Sequence, residues 1–262
     1  MCDFLRGGLY ALHLAPKDTH IFFCAHPLLQ KLFAAAMDHY GIKNDHHIII
    51  TARDSVYFTT RIWFLFKAFG HDPDKLHLMQ GSLEEWISAG GEVDTKPTGV
   101  PVFQQMEPVH ETKYKVLKEP SNVCDMKHVM GALERNDRRG IDGNGNANGY
   151  GNTLILDSRG SSFASKGHMP GAIHLPYGNW VEKDNTQKWK SIKELSNIFK
   201  EAGVDPATDQ DIICTCGSGV SVCHTLLALE LCGRDLQDAR STLMYDGSWA
   251  EYGKETDTPK VI

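Results

Sequence analysis

The feature that most constrains the fold of this chain is a long internal repeat. Residues 46–70, HHIIITARDSVYFTTRIWFLFKAFG, show the same order of features as residues 210–233, QDIICTCGSGVSVCHTLLALELCG. Each segment is an apolar run typical of a β-strand, then a short loop, then an apolar stretch of helical period that ends at glycine. Similar segments flank both copies, and Thr51 pairs with Thr215, 164 positions later. A repeat of this length indicates a duplicated domain rather than a solenoid.

The order of strands and helices within each copy predicts an α/β fold class: two domains, each a parallel sheet flanked by helices. The second copy opens with a predicted strand at 153–160, TLILDSRG, whose counterpart in the first copy would precede residue 1. We therefore expect the first domain to be incomplete at its N-terminus, or residues 1–24 to supply a replacement. The predicted boundaries are 1–95 for the first domain, 96–120 for a proline-punctuated linker and 121–262 for the second domain.

The composition argues against several classes of function. No apolar run approaches the roughly 20 residues of a membrane-spanning helix, so no membrane partner is expected. The formal net charge of -6 at pH 7 argues against a nucleic-acid-binding protein. Seven cysteines at uneven spacing indicate reduced intracellular thiols rather than a secreted disulfide framework. Because the N-terminal residues do not resemble a secretory signal, the expected location is cytoplasmic or mitochondrial.

The segment CTCGSGVSVC at 214–223 is the strongest candidate for chemistry. Cys216 follows a predicted buried strand, at the carboxyl end where open α/β sheets place their ligand sites. Gly217 and Gly219 let the backbone turn its N–H groups inward, and the next helix adds the positive end of its dipole. We expect this environment to keep Cys216 largely as the thiolate, a nucleophile that needs no general base. The first copy has Ala52 at this position and lacks the thiol.

Other interpretations of this segment fit its spacing less well. A zinc site would use Cys223 and His224, which fall on the predicted helix, and no C-x-x-C pair occurs elsewhere, so no metal is expected. A tyrosine-phosphatase loop would need an arginine at the position of Val222. Cys214 is expected in the core, and Cys223 and Cys232 are expected to be buried small apolar residues.

Several motifs in the second half of the chain resemble those of the tandem-domain rhodanese family. CGSGVS at 216–221 resembles the active loop of its 3-mercaptopyruvate sulfurtransferases. The segment at 156–177, LDSRGSSFASKGHMPGAIHLPY, resembles the family's Asp-x-Arg and Gly-His-Ile-Pro-Gly-Ala motifs, and YDGSWAEY at 245–252 resembles its C-terminal signature. The resemblance covers residues 114–253, and roughly 25–95 as the back half of an inactive first domain. It implies two rhodanese-like domains, sulfurtransferase activity and no cofactor.

The resemblance also implies roles for the loop residues. Cys216 would take a sulfane sulfur from a small-molecule donor, 3-mercaptopyruvate or thiosulfate, and hold it as a persulfide. Ser218 corresponds to a hydroxyl near the reacting sulfur, or it only stabilises the loop. A thiol, cyanide or a thioredoxin-like protein would then accept the sulfur. The persulfide would be cradled by the backbone N–H groups of the loop, which include those of Gly217, Gly219, Val220 and Ser221.

The chain departs from the family pattern where the substrate would bind. The family has a substrate-binding arginine at the position of Phe163, and thiosulfate-type loops carry basic residues that this loop lacks. Arg159 and Lys166 remain as candidate substrate-binding cations. Two roles are open for Arg159: lining the pocket, or a structural brace with Asp157.

Three further motif residues are expected to have structural roles. His168 is expected to brace the backbone of its loop. Asp246 and Trp249 are expected to fix the final turn and to cover the core.

The predicted function is therefore a sulfurtransferase that acts through Cys216. The alternatives are a thiosulfate sulfurtransferase, a protein-to-protein sulfur carrier and, from a different class, a non-catalytic interaction module. The intact loop at 216–221 favours the enzyme, whereas the shortened substrate loop favours the interaction module.

Overall fold

The chain folds into two compact units in the computed structural model. The first unit comprises Met1–Pro120 with Asp184–Lys188, and the second comprises Ser121–Lys183 with Trp189–Ile262. Most of the predicted linker at 96–120 lies outside the described residues. The residues that the structure describes are 2–5, 9–12, 27–52, 56–93, 111–116, 122–138, 153–236 and 241–262.

The described part of the first unit contains a four-stranded sheet. The strands are β1 (Cys2–Leu5), β2 (Leu9–Leu12), β3 (Ile48–Ala52) and β4 (Leu76–Ser82), and they lie side by side in chain order. β1 is antiparallel to β2, whereas β2, β3 and β4 are parallel. The helices of this unit are α1 (Pro27–His39), α2 (Thr59–Ala68) and α3 (Leu83–Ser88), with a 3-10 turn at Pro73–Lys75.

The second unit contains a five-stranded parallel sheet. Its strands are β5 (Val123–Cys124), β6 (Leu154–Asp157), β7 (Ile173–His174), β8 (Ile212–Thr215) and β9 (Thr242–Tyr245). They lie in the order β5, β9, β8, β6, β7, with every pairing parallel. The predicted α/β class with parallel sheets is confirmed. The helices are α4 (Met126–Arg138), α5 (Ser162–Ser165), α6 (Ile192–Glu201), α7 (Val222–Leu231) and α8 (Ser248–Tyr252), with a 3-10 turn at Tyr177–Trp180.

The central strand β8 is covered on both faces. All four of its residues are buried, which is the pattern of a parallel strand between helical layers. α7, which follows it, is also buried around most of its circumference, because eight of its residues are in the core. Gly233 lies just past α7 with a positive φ of 95°, the left-handed conformation expected of a glycine that ends a helix. Cys216 therefore lies in a loop between a fully buried strand and a largely buried helix.

β2, within residues 1–24, occupies the position in the first sheet that β6 occupies in the second. β2 pairs in parallel with β3, just as β6 pairs in parallel with β8 in the second unit. Of the two expectations for the first domain, this placement agrees with a replacement strand from residues 1–24. The edge strands of the two sheets differ in direction. β1 is antiparallel to β2, whereas β7 is parallel to β6.

Two segments from outside the predicted first domain are grouped with the first unit. The Asp38 carboxylate accepts the backbone N–H groups of Lys113 at 2.6 Å and Tyr114 at 2.7 Å, which fixes part of the predicted linker against α1. Within 184–188, the carbonyl of Thr186 accepts the N–H of Val56 at 3.2 Å, among other contacts to this unit. No helix in the described part of the chain is long and apolar enough to cross a membrane.

Candidate active site

Cys216 is the first residue after β8, at the carboxyl end of the central strand. The start of α8 holds the backbone at this point. The N–H of Trp249 donates to the carbonyl of Cys216, and the N–H of Ala250 donates to the carbonyl of Gly217, both at 2.9 Å. The Cys216 side chain is only 1% exposed. The next two residues of the loop, Gly217 and Ser218, are half-buried rather than buried.

Two groups contact the Cys216 sulfur. The N–H of Gly219 donates to Sγ at 3.2 Å, and the Ser248 hydroxyl oxygen lies 3.9 Å from it. The Ser248 hydroxyl also accepts the N–H of Cys216 at 3.2 Å, and its one proton can be donated either to the carbonyl of Tyr245, 2.9 Å away, or to the sulfur. Donors directed at a sulfur stabilise its anionic form, because a hydrogen bond to an ionised acceptor is stronger than one to a neutral acceptor. This arrangement suits a thiolate or a persulfide anion.

Ser248 is the functional residue that the sequence interpretation missed. It lies within YDGSWAEY, where Asp246 and Trp249 were the residues assigned roles. Its backbone φ is 49°, a left-handed conformation that non-glycine residues seldom adopt, and one often seen where a site imposes strain. One feature of the sequence could have pointed to Ser248, namely the internal repeat. Ser82 follows Gly81 at the end of β4, just as Ser248 follows Gly247 after β9.

Only one of the two loop glycines is required by its backbone and its neighbours. Gly219 has a φ of 79°, and a Cβ at this position would lie 2.7 Å from Oδ1 and 2.9 Å from the carbonyl oxygen of Asp246. A Cβ at Gly217 would meet no atom within 4 Å. The tight turn that brings a backbone N–H onto the sulfur therefore depends on Gly219, whereas Gly217 is not sterically constrained.

The rest of the loop offers unused hydrogen-bond donors. Within the described part of the chain, no acceptor is found for the N–H groups of Gly217, Ser218, Val220 and Ser221. The Ser218 hydroxyl likewise has no hydrogen-bond partner there. Ser221 precedes α7 without a side-chain capping bond, so the N-terminus of that helix adds its positive dipole to the loop. Backbone donors grouped in this way can bind an anionic sulfur or oxygen.

The other described cysteines lie in different surroundings. Burial raises the pKa of Cys214, which lies inside β8 as expected. Burial, followed by the charges of Asp125 and Asp246, raises the pKa of Cys124 to about 12. Cys223 is buried as predicted, but Cys232 is half-buried and lies 3.5 Å from the Ser196 hydroxyl. None of the five cysteines whose side chains the structure describes is in a disulfide.

His224, in α7, cannot serve as a cation near the loop. Burial lowers its pKa to about 3, although a backbone hydrogen bond with Ser221 acts in the opposite direction. Its ring lies against Trp189, with centroids 5.5 Å apart. Among the described residues, no group of three or more histidine, cysteine, aspartate or glutamate side chains could hold a metal ion.

The Arg159 side chain forms an ion pair with Asp157 and a hydrogen bond with the loop that follows β6. Its Nη2 lies 2.7 Å from Oδ2 of Asp157, and Nε donates to both oxygens of the same carboxylate. Nη2 also donates to the carbonyl of Gly167 at 2.9 Å, and the guanidinium lies 4.2 Å from the ring centroid of Trp249. The residue is 3% exposed. Of the two roles left open by the sequence, the geometry shows the brace, which ties the end of β6 to the loop at 160–168.

The other substrate-binding candidate, Lys166, lies at the exposed end of α5. Its ammonium group forms no ion pair within the described part of the chain. Phe163, at the position where the resemblance implies an arginine, is stacked between His168 and His174 with ring centroids 4.0 and 4.2 Å away. The main-chain groups of His168 form two hydrogen bonds with Val261, whereas its buried Nδ1 has no hydrogen-bond partner among the described residues. The expected bracing role of the His168 side chain stays a prediction.

Comparisons with known proteins find similarity to sulfurtransferases over most of the chain. The family described as Rhodanese-like domain matches residues 144–255. Rat thiosulfate sulfurtransferase is 28% identical over 81% of this chain, which spans 64% of the relative's length. Rat 3-mercaptopyruvate sulfurtransferase is 24% identical over 95% of this chain and 73% of its own length. The crystal structure of the 3-mercaptopyruvate sulfotransferase SseA from Escherichia coli matches 83% of this chain and 72% of that chain, with a TM-score of 0.61 and 26% identity.

The loop of backbone donors around Cys216 lies inside the region that the family model matches. Residues 144–255 therefore match the rhodanese-like domain family, and the chain is similar in sequence and fold to thiosulfate and 3-mercaptopyruvate sulfurtransferases.

Proposed function

We propose that this chain is a sulfurtransferase that carries a sulfane sulfur as a persulfide on Cys216. The observation that supports it most strongly is the Cys216 sulfur held 3.2 Å from the N–H of Gly219, in a loop whose remaining N–H groups have no acceptor within the described residues. Such a loop stabilises the charge that develops on sulfur during the transfer, because preorganised donors need no rearrangement.

The transfer has two steps. In the first, the Cys216 thiolate attacks the transferable sulfur of the donor, which is the thiol sulfur of 3-mercaptopyruvate or the outer, sulfane sulfur of thiosulfate, and a sulfur–sulfur bond forms. With 3-mercaptopyruvate the carbon–sulfur bond breaks, and the carbon takes up a proton to give pyruvate; with thiosulfate the sulfur–sulfur bond breaks and sulfite leaves. In the second, an acceptor thiolate or cyanide attacks the outer sulfur, and Cys216 leaves as the thiolate.

The donor in this proposal is 3-mercaptopyruvate, with thiosulfate as the alternative. The loop at 216–221 carries no basic residue. In this it resembles the loop of 3-mercaptopyruvate enzymes, which favours 3-mercaptopyruvate as the donor. Because Arg159 is committed to Asp157, binding of the donor's carboxylate would fall to the loop N–H groups and to Lys166. The acceptor would be a small thiol, cyanide or a thioredoxin-like protein, with no role for nucleic acid or membrane, in the cytoplasm or mitochondrion.

A steady-state assay tests the proposal. The purified protein is given 3-mercaptopyruvate or thiosulfate with cyanide, and thiocyanate is measured. We expect turnover with at least one donor, loss of that turnover in Cys216→Ser, and retention in Cys232→Ser. Turnover that survives in Cys216→Ser would contradict the assignment of the nucleophile.

The non-catalytic interaction module is the second candidate, and it has support of its own. Phe163 is fixed in an aromatic stack and Arg159 in a buried ion pair, so neither side chain offers a charge to a donor. This candidate predicts no turnover with either donor, while the protein remains folded.

A further inference from the structure

We propose that His47 and His77 in the first unit form a two-histidine site for a divalent transition-metal cation, of the class of Ni(II) and Cu(II). His47 immediately precedes β3, and His77 is the second residue of β4. Ile49 is the register partner of His77. Because side chains alternate between the two faces of a strand, His47 lies on the same face as Ile49, and therefore on the face of His77.

The two imidazoles meet through their nitrogens. Nδ1 of His47 lies 3.0 Å from Nε2 of His77. The rings are nearly parallel, at 10°, with centroids 5.4 Å apart. Both side chains are exposed, so a hydrated cation can approach the pair from solvent. Neutral imidazole is a common ligand for transition metals.

The choice of cation rests on the ligand type. Tetragonal coordination with nitrogen and oxygen ligands is typical of Cu(II) and Ni(II), and the order of affinities favours these ions over earlier divalent metals. The present 3.0 Å separation is that of a hydrogen bond between the rings. Two nitrogens bound at a right angle to one cation, with bonds of about 2.0–2.1 Å, would lie about 2.9 Å apart, so the pair needs little change in separation to hold it.

Binding requires only small changes in the pair. In the present hydrogen bond one facing nitrogen carries a proton and the other accepts it. A shift of that proton to the far nitrogen of the same ring leaves both facing lone pairs available, with no change in net charge. A rotation of the two exposed rings then directs both lone pairs at one cation. Water completes the coordination, since no third ligand belongs to this cluster among the described residues.

Calorimetric titration with NiCl₂ tests this site. Ni(II) is the probe because it does not oxidise thiols, and the full-length protein is first alkylated so that cysteines do not compete. Removing either histidine abolishes the chelate, so His47→Gln and His77→Gln are each expected to weaken Ni(II) binding at least about tenfold. The matched control is His128→Gln, an exposed histidine on α4, which is expected to bind Ni(II) as the unsubstituted protein does.

The pH dependence of Ni(II) binding is a second test, because only unprotonated imidazole nitrogens bind a cation. Affinity for Ni(II) is expected to fall as the solution is made acidic, because protons then compete with the cation for the imidazole nitrogens. Unchanged Ni(II) affinity in both His47→Gln and His77→Gln would overturn the proposal, and so would an equal loss in His128→Gln. Thermal melts of the three variants establish that they are folded, with His47→Ala and His77→Ala as second substitutions.

Discussion

At the residue scale, the environment of the Cys216 sulfur is made largely by backbone groups and one hydroxyl. The N–H of Gly219 and the hydroxyl of Ser248 lie at 3.2 and 3.9 Å from it. The sequence pointed to Cys216 because a cysteine between a buried strand and a glycine-containing helix start is typical of a reactive thiolate. It did not point to Ser248, because the contact between residues 32 positions apart forms only when β8 and β9 pair.

The two loop glycines give a matched test of this geometry. In Gly219→Ala the positive φ alone costs about 1–2 kcal/mol, and the contact of the new Cβ with Asp246 adds to it. We expect a lower free energy of unfolding in urea and little or no persulfide on Cys216. Gly217→Ala meets no neighbouring atom, so its free energy of unfolding should stay within about 0.5 kcal/mol of the unsubstituted protein. Equal effects of the two substitutions would contradict the geometry.

Replacing Ser248 by alanine tests its dual contact. The buried N–H of Cys216 would lose its acceptor, which should lower the free energy of unfolding by about 1–3 kcal/mol. Persulfide formation should also slow, because a donor near the sulfur is lost. Urea unfolding and single-turnover mass measurements record the two effects. Ser165→Ala, an exposed serine in α5, is the control, and a Ser248→Ala protein as stable as this control would be inconsistent with the contact.

At the element scale, the strand–loop–helix from β8 to α7 is where the sequence predicts the structure best. An apolar run, a glycine-containing loop and a helix ending at Gly233 are all local signals, and the structure follows them. The position of β2 beside β3 had no such signal, because a four-residue strand is stabilised mainly by pairing with its neighbour. The segment 184–188 contacts the first unit through backbone hydrogen bonds to Val56 and Gly81 and an ion pair between Lys188 and Glu85, and none of these long-range contacts leaves a local pattern in the sequence.

The brace at the end of β6 gives a test that separates the two roles of Arg159. Lysine cannot reach both the Asp157 carboxylate and the Gly167 carbonyl, so Arg159→Lys should leave a buried carboxylate poorly paired. Loss of a buried ion pair costs about 3–5 kcal/mol, so a fall of that order in the free energy of unfolding is expected. The KM for the sulfur donor should change little in the protein that remains folded.

Substitution of Lys166 is the matched control for the brace, since its side chain is exposed. Lys166→Met should leave the free energy of unfolding within about 0.5 kcal/mol of the unsubstituted protein. A stable Arg159→Lys protein with a sharply raised KM would instead indicate that Arg159 binds the donor.

At the scale of the whole molecule, each unit contains a buried histidine whose pKa is lowered by burial. These are His71 in the first unit and His224 in the second, where the pKa is about 3. Between that value and the ordinary 6.5, the unfolded chain binds a proton at His224 that the folded chain does not. The free energy of unfolding therefore falls as the pH decreases through this range.

Acid sensitivity of the second unit should depend on His224. We expect His224→Gln to flatten the dependence of the free energy of unfolding on pH below about 6.5, whatever its effect at neutral pH. The measurement is urea unfolding at a series of pH values. His128→Gln, on the exposed side of α4, should keep the original slope, and a His224→Gln protein with that slope would contradict the assignment.

The most direct measurement for the whole account is the intact mass of the protein after incubation with 3-mercaptopyruvate or, separately, with thiosulfate. If Cys216 carries the transferred sulfur, the mass should increase by one sulfur atom after incubation with at least one of the donors. Cyanide should remove this sulfur, and Cys216→Ser should not acquire it. The donor that loads the protein more completely names the preferred substrate. No added sulfur from either donor, or an added sulfur that persists in Cys216→Ser, would contradict this role of Cys216.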